Sequence, residues 1–209
     1  MNTLNFITGS ECKTLLEKGQ AEFVDTRSCE QFSFSHIAGS VNIPFSENIS
    51  YWAGMLLGDR PCVIIFEKGE NISFILNAFR EAHIDILGFL EEDLPLWEKE
   101  ELSLSRLEIV TPEILAKKQN EKRLIIDVRT ETEWRSGHIS GAIHIPLNLF
   151  KTGQINIAKD TRIAIVCGSG YRSGIAASIL KKEGFTDVAN IEGGMQGKVK
   201  DCLPIVIPD

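Results

Sequence analysis

The chain contains, from Ile163 to Gly184, the segment IAIVCGSGYRSGIAASILKKEG. Its first four residues are apolar and predict a buried strand, and the stretch from Gly174 to Leu180 has the pattern of a helix that ends at Gly184. Between them lies a glycine-rich loop headed by Cys167. Such a loop can direct several backbone N–H groups at one point, and the helix N-terminus adds a partial positive charge there. The segment therefore predicts a cysteine that readily forms a thiolate inside an anion-binding cradle, suited to covalent chemistry on an anionic sulfur compound or an oxyanion.

The composition is that of a globular protein with no strong attraction to nucleic acid or membranes. The 209 residues carry a formal net charge of -7, with 16 acidic and 7 basic residues in positions 1–100 and 13 acidic and 15 basic residues in the remainder. No basic stripe, secretory signal or membrane-length apolar run is visible in the sequence. The five cysteines are irregularly spaced and form no CxxC pair, which argues against a disulfide framework or a zinc site. We therefore expect a cytoplasmic protein without a metal.

Two copies of one pattern organise the chain. Each copy has an Asp-x-Arg motif after an apolar strand, then a His-Ile pair, a glycine and an Ile-Pro pair, and the offset between the copies is 102 residues. The matched residues are Asp25, Arg27, His36, Gly39 and Pro44 in the first copy and Asp127, Arg129, His138, Gly141 and Pro146 in the second. Each copy continues with a second apolar strand, a helix and a third short strand, predicted at residues 84–87 and 188–191. This alternation indicates an α/β fold with two domains, residues 1–100 and 101–209, each a mostly parallel sheet flanked by helices.

The two copies differ at the loop that follows the second strand. Aligning these strands places Phe66 opposite Cys167, and the first copy continues with Glu67 and Glu70 and has no arginine opposite Arg172. Acidic side chains at the start of the following helix would interact with the positive end of the helix dipole in place of an anionic ligand. We therefore predict that the first domain is catalytically inactive and the second is active.

The motifs of the second copy resemble those of the rhodanese family. The segments that carry the resemblance are 127–129, 137–146, 167–173 and 192–195. It covers nearly the whole chain as a tandem pair and implies two rhodanese-like domains, with Cys167 as the residue that carries a sulfane sulfur as a persulfide. It also implies that Asp127 and Arg129 support the loop, either by an ion pair or by touching the substrate. The substrate-binding residues that it implies are Gly168, Ser169, Gly170, Tyr171, Arg172 and Ser173.

The resemblance implies a sulfurtransferase that works in two steps. The Cys167 thiolate takes the outer sulfur of a small anionic donor, either thiosulfate or a low-molecular-weight persulfide. It then passes the sulfur to cyanide in vitro, or to a thiol, sulfite or a protein acceptor. Neither a metal nor an organic cofactor is implied. An inactive copy followed by an active one is similar to the rhodanese half of persulfide dioxygenase–rhodanese fusion proteins, so a persulfide dioxygenase is an expected partner.

Two other functions stay open on the sequence. A rhodanese-like phosphatase or arsenate reductase would use the same cysteine, but those enzymes have a longer loop than the four residues that separate Cys167 from Arg172. A non-enzymatic sulfur-carrier or docking module would fit the degenerate first copy, whereas the intact loop of the second copy argues for catalysis.

Overall fold

The computed structural model describes residues 4–117, 123–150 and 155–208, and it divides into two compact units, Met1–Arg106 and Leu107–Asp209. Each unit is an α/β fold in which helices flank a parallel sheet, as the alternation of apolar strands and helices predicts. The division follows Arg106 rather than residue 100 because the strand Leu104–Ser105 pairs with His36–Ile37 and so belongs to the first unit.

The first unit begins with a helix whose start is fixed by a capping box. The Thr8 hydroxyl accepts a hydrogen bond from the Glu11 amide (3.2 Å), and the Glu11 carboxylate accepts one from the Thr8 amide (2.8 Å). The elements in chain order are α1 (Gly9–Glu17), β1 (Glu22–Asp25), α2 (Cys29–Phe34), β2 (His36–Ile37), β3 (Val41–Asn42), α3 (Ile49–Leu56), β4 (Cys62–Phe66), α4 (Ile72–Glu81), β5 (Ile86–Glu91), α5 (Leu94–Lys99) and β6 (Leu104–Ser105). The main sheet has the order β3-β1-β4-β5, and all its strands are parallel.

The second unit repeats this arrangement with one more strand in its main sheet. Its elements are β7 (Glu108–Val110), α6 (Pro112–Lys117), β8 (Leu124–Asp127), α7 (Glu131–Arg135), β9 (His138–Ile139), β10 (Ile143–His144), a 3-10 helix (Leu147–Leu149), β11 (Ile163–Val166), α8 (Tyr171–Lys182), β12 (Val188–Ile191), a second 3-10 helix (Gly194–Gln196), α9 (Val199–Cys202) and β13 (Ile205–Val206). The parallel sheet has the order β10-β8-β11-β12-β7, and β13 pairs antiparallel with β9.

The strand register places the two loops at equivalent positions. In the first unit Asp25 pairs with Ile65, and in the second Asp127 pairs with Val166. The next residue along each central strand is Phe66 in one unit and Cys167 in the other. The alignment made on the sequence is therefore also the structural alignment of the two loops.

The core of each unit surrounds its central strand. β4 and β11 are buried at every residue, because neighbouring strands cover their edges and helices cover their faces. The helix α8 is buried from Ser173 to Leu180, so its first turn is held against the sheet.

Two elements differ from the sequence prediction. The strand β5 begins at Ile86 rather than at residue 84, because the Ile84 amide donates to the carbonyl of Phe79 (2.9 Å) and closes α4. The helix α8 begins at Tyr171 rather than at Gly174. Tyr171, Arg172 and Ser173 are therefore the first helical turn and not loop residues.

Candidate active site

Cys167 lies directly after β11, with its sulfur facing the start of α8. The side chain is 1% exposed, and the sulfur accepts hydrogen bonds from the Gly170 amide (3.2 Å) and the Ser173 hydroxyl (3.3 Å). The sequence reasoning groups these residues, and the structure brings them together around one atom. Two donors and a helix N-terminus at the sulfur stabilise negative charge on it.

The loop has the geometry of an anion cradle. Gly170 is the N-cap of α8 with a φ of +100°, a conformation that glycine adopts without strain, and its carbonyl accepts a hydrogen bond from the Asn190 amide group (3.0 Å). Among the residues that the structure describes, none accepts a hydrogen bond from the amides of Gly168 or Ser169. Both N–H groups are therefore available to an anionic ligand.

The glycine turn after β12 holds the backbone of the cysteine loop by two hydrogen bonds. The Met195 amide donates to the carbonyl of Cys167 (2.8 Å), and the Gln196 amide donates to the carbonyl of Gly168 (2.9 Å). Gly194 has a φ of +53° and brings the two segments of the chain very close together. A Cβ on it would lie 2.8 Å from the carbonyl carbon of Gly168. The turn fixes the backbone that carries the cysteine.

Arg172 forms an ion pair that the sequence reasoning missed. Its guanidinium donates two hydrogen bonds to the Glu133 carboxylate (2.6 and 2.7 Å). The bond from Arg172 is the main reason why the pKa of Glu133 is lowered to about 2. Glu133 also closes the capping box of α7 with Thr130, which was the available sequence signal. The guanidinium lies beside the cradle, 3.3 Å from where a Cβ on Gly168 would stand.

Asp127 and Arg129 form a buried ion pair. Arg129 donates to both carboxylate oxygens of Asp127, at 2.6 to 3.0 Å, and also to the carbonyl of Gly137 (2.8 Å). Arg27 makes the same bonds to Asp25 and to the carbonyl of Ser35. Because the pair recurs in the unit without the cysteine, it braces the sheet edge in both units.

A cavity of about 560 Å³ opens beside the loop of the second unit. Its wall includes the carboxylate-bearing Glu133, the exposed Lys200 and an apolar side formed by Met195 and two residues of the C-terminal segment. The lining residues are Arg129, Glu133, Ser136, Gly137, Gly168, Met195, Gln196, Lys200, Ile205 and Ile207. This volume lies in the range of pockets that hold organic small molecules.

The corresponding loop of the first unit holds a carboxyl group. Phe66 is 2% exposed and packs on Phe89. The Glu70 carboxyl accepts hydrogen bonds from the Thr26 hydroxyl (2.7 Å) and from the Glu67 loop amide (3.3 Å), and burial raises its pKa to about 7. Neither acid caps the helix, because α4 begins at Ile72 with Asn71 as its N-cap. Glu70 thus opposes an anion in the loop by occupying a loop amide, rather than from the helix end where the sequence reasoning placed it.

The ranges that the structure describes contain neither a cluster of potential metal ligands nor a membrane-spanning helix. No group of three or more His, Cys, Asp or Glu side chains within those ranges is arranged to hold a metal ion. None of the helices described is long and apolar enough to cross a membrane.

Comparisons with known proteins match both units. The rhodanese-like domain family model matches residues 8–100 and 111–200. A sulfurtransferase of Allochromatium vinosum is 36% identical over 89 residues, which are 43% of this chain and 83% of that protein. The YqhL protein of Bacillus subtilis is 40% identical over 82 residues, 38% of this chain and 65% of that protein.

Among solved structures, a thiosulfate sulfurtransferase from Pseudomonas aeruginosa aligns with 99% of this chain and 44% of its own, at 17% identity and a TM-score of 0.41. The family model accounts for most of the chain in two separate matches, and each match falls on one compact unit with the same sheet and the same Asp–Arg pair. The chain therefore belongs to the rhodanese-like domain family, with two such domains in tandem.

Proposed function

We propose that the second unit is a sulfurtransferase that carries sulfur as a persulfide on Cys167. One observation carries the proposal: the Cys167 sulfur accepts hydrogen bonds from the Gly170 amide and the Ser173 hydroxyl at the N-terminus of α8. The same groups would stabilise the terminal sulfur of a persulfide, because it carries negative charge at nearly the same place.

The reaction has two displacement steps. The Cys167 thiolate attacks the outer sulfur of thiosulfate or of a low-molecular-weight persulfide. The new S–S bond forms as the old one breaks, and the bonding pair leaves with sulfite or with a thiolate, which takes a proton from water. The persulfide on Cys167 then gives its outer sulfur to cyanide, a thiol, sulfite or a protein acceptor, and the thiolate is restored. A persulfide dioxygenase, which oxidises a persulfide with O2 and releases sulfite, is a proposed partner: it would consume a product persulfide or supply sulfite as an acceptor.

We further propose that the first unit has no transfer activity. Phe66 occupies the position of the nucleophile, and Glu70 accepts a hydrogen bond from the Glu67 amide in the loop. A thiolate or an anionic donor there would face an acidic side chain in place of free amides.

The test of the function is the Cys167→Ser variant. We expect it to lose thiosulfate:cyanide sulfurtransferase activity without unfolding, because serine keeps the size of the side chain and lacks the sulfur. Mass spectrometry of the wild type after incubation with donor should show one added sulfur, about 32 Da, on Cys167. The control is Cys202→Ser, which removes the other cysteine of the second unit, a partly exposed one. Added sulfur on a different cysteine, or full activity without Cys167, would contradict the proposal.

A further inference from the structure

The ion pair beside the cradle contributes its acidic member, Glu133, to the wall of the cavity. Glu133 is among the residues that line the cavity, and its partner Arg172, which lies against Gly168, is not. An anionic donor that enters the cavity therefore meets a carboxylate whose charge Arg172 balances, and not a free guanidinium.

The helix cap alone does not require a carboxylate at this position. In the first unit the equivalent residue is Gln31, which closes the same capping box with Ser28. The first unit also has Asn71 where the second has Arg172. A glutamine is thus sufficient for the cap, and the acid occurs in the unit where the arginine occurs. The carboxylate of Glu133 therefore has a role at the site, where it pairs with Arg172, in addition to its role in capping α7.

One exposed cationic side chain at the cavity has no carboxylate partner among the residues that the structure describes. Arg129 is paired with the buried Asp127, and Glu133 is paired with Arg172. Lys200 lines the cavity and, in the part of the chain that the structure describes, pairs with no acidic side chain. The apolar part of the cavity wall is formed by Met195, Ile205 and Ile207.

We propose that Glu133 is a specificity-determining residue that disfavours doubly charged donors, so that the preferred donor is an organic persulfide of a single net negative charge. This inference rests on the proposed sulfur transfer and names its donor class. A thiosulfate dianion feels the Glu133 carboxylate twice as strongly as a monoanion does. An organic persulfide can also cover the apolar wall, and a carboxylate on its organic part can reach Lys200.

The experiment measures KM and kcat for thiosulfate and for cysteine persulfide in wild type, Glu133→Gln and Glu131→Gln. Glu133→Gln should lower the KM for thiosulfate about 10-fold and change the KM for cysteine persulfide less than about 3-fold, because removing a like charge near a bound ion is worth about one unit of log affinity. Glu131→Gln is the matched control: it lies on the same helix, pairs with Arg135, and does not line the cavity. It should change neither KM.

A second variant keeps the test independent of how well Glu133→Gln folds. Arg172→Gln leaves the Glu133 carboxylate uncompensated, so it should raise the KM for thiosulfate more than that for cysteine persulfide. The double variant should return the ratio of the two KM values towards that of the wild type. An unchanged or raised thiosulfate KM in Glu133→Gln, or parallel changes for both donors, would overturn the inference. A wild type that takes up sulfur from neither donor would instead refute the proposed sulfur transfer.

Discussion

At the residue scale, the two loops differ at the position that follows the central strand. The sulfur of Cys167 accepts two hydrogen bonds, whereas its counterpart Phe66 has its ring in the core. The cysteine was predictable because a glycine loop and a helix start follow it directly in sequence. The partner of Arg172 was not, since Glu133 lies in a different element and only the fold brings α7 to the start of α8.

Glu70 should make the folding stability of the first unit depend on pH. Its pKa is raised to about 7, chiefly by burial, from an ordinary value of 4.5. A carboxyl whose pKa is raised on folding stabilises the folded state below the unfolded pKa, and this contribution is lost as the pH rises through the folded pKa. Between pH 4.5 and about pH 8, we expect the free energy of unfolding of the wild type to fall by about 1–2 kcal/mol relative to that of Glu70→Gln. This energy is reduced to allow for partial solvent screening of the carboxyl.

Denaturant unfolding of both proteins across this pH range gives the difference directly. Glu67→Gln is the control, because Glu67 is exposed and its charge is the smallest of the causes that shift the pKa of Glu70, well behind burial. If wild type and Glu70→Gln show the same pH dependence, the carboxyl is not buried as described.

At the scale of elements, the site depends on two chain segments held edge to edge. The loop between β11 and α8 carries the cysteine, and the turn after β12 fixes its backbone through the carbonyls of Cys167 and Gly168. The strands were predictable because their apolar runs are continuous, and residues 188–191 match β12. The start of α8 was placed too late, because Gly170 and Ser173 both look like loop residues when their neighbours are unknown.

Gly194→Ala should damage the site through the backbone. A Cβ there would collide with the chain at Gly168, and the φ of +53° is strained for alanine. We expect a destabilisation of about 1–3 kcal/mol and a fall in kcat/KM of at least about 10-fold, because the cradle shifts relative to the sulfur. Sulfur-transfer assays and thermal unfolding measure the two effects.

Gly184→Ala is the matched control for strain without collision. Gly184 has a φ of +88°, and no atom lies within 4 Å of a Cβ built there. It should cost a comparable amount of stability, about 1 kcal/mol, and leave kcat/KM unchanged. Equal losses of activity in both variants would show that the turn after β12 has no special role in the site.

At the scale of the whole molecule, the two units can be compared with each other because they repeat one arrangement. Both units keep the parallel sheet and the buried pairs Asp25–Arg27 and Asp127–Arg129, and both place a loop after the central strand. The repeat and the parallel sheets followed from the spacing of motifs. The cavity did not, because Lys200, Met195 and Ile205 come together only when the chain after β12 returns past α7 and β9.

Phe66→Cys should fail to give the first unit an activity of its own. In a Cys167→Ser background, we expect no sulfur on position 66 and no transfer, because the new side chain would be buried and Glu70 occupies the loop. Replacing a ring that is 2% exposed should cost about 2–4 kcal/mol. Mass spectrometry after incubation with thiosulfate, together with thermal unfolding, tests both parts. A persulfide on position 66 would show that the loop still binds a donor.

The recurrence of the Asp–Arg pair separates the side chains that the fold requires from those that only the proposed chemistry requires. The position after the central strand accommodates an apolar ring in the first unit, where Phe66 is buried and packs on Phe89. Losing Arg27 alone would leave the fully buried Asp25 carboxyl without its cationic partner, whereas losing Asp25 alone would leave Arg27 with Glu92 (2.8 Å) as its only acidic partner among the described residues. On the proposal that the first unit is inactive, the ion pair is kept there for the fold alone, while the position of the nucleophile is free to change.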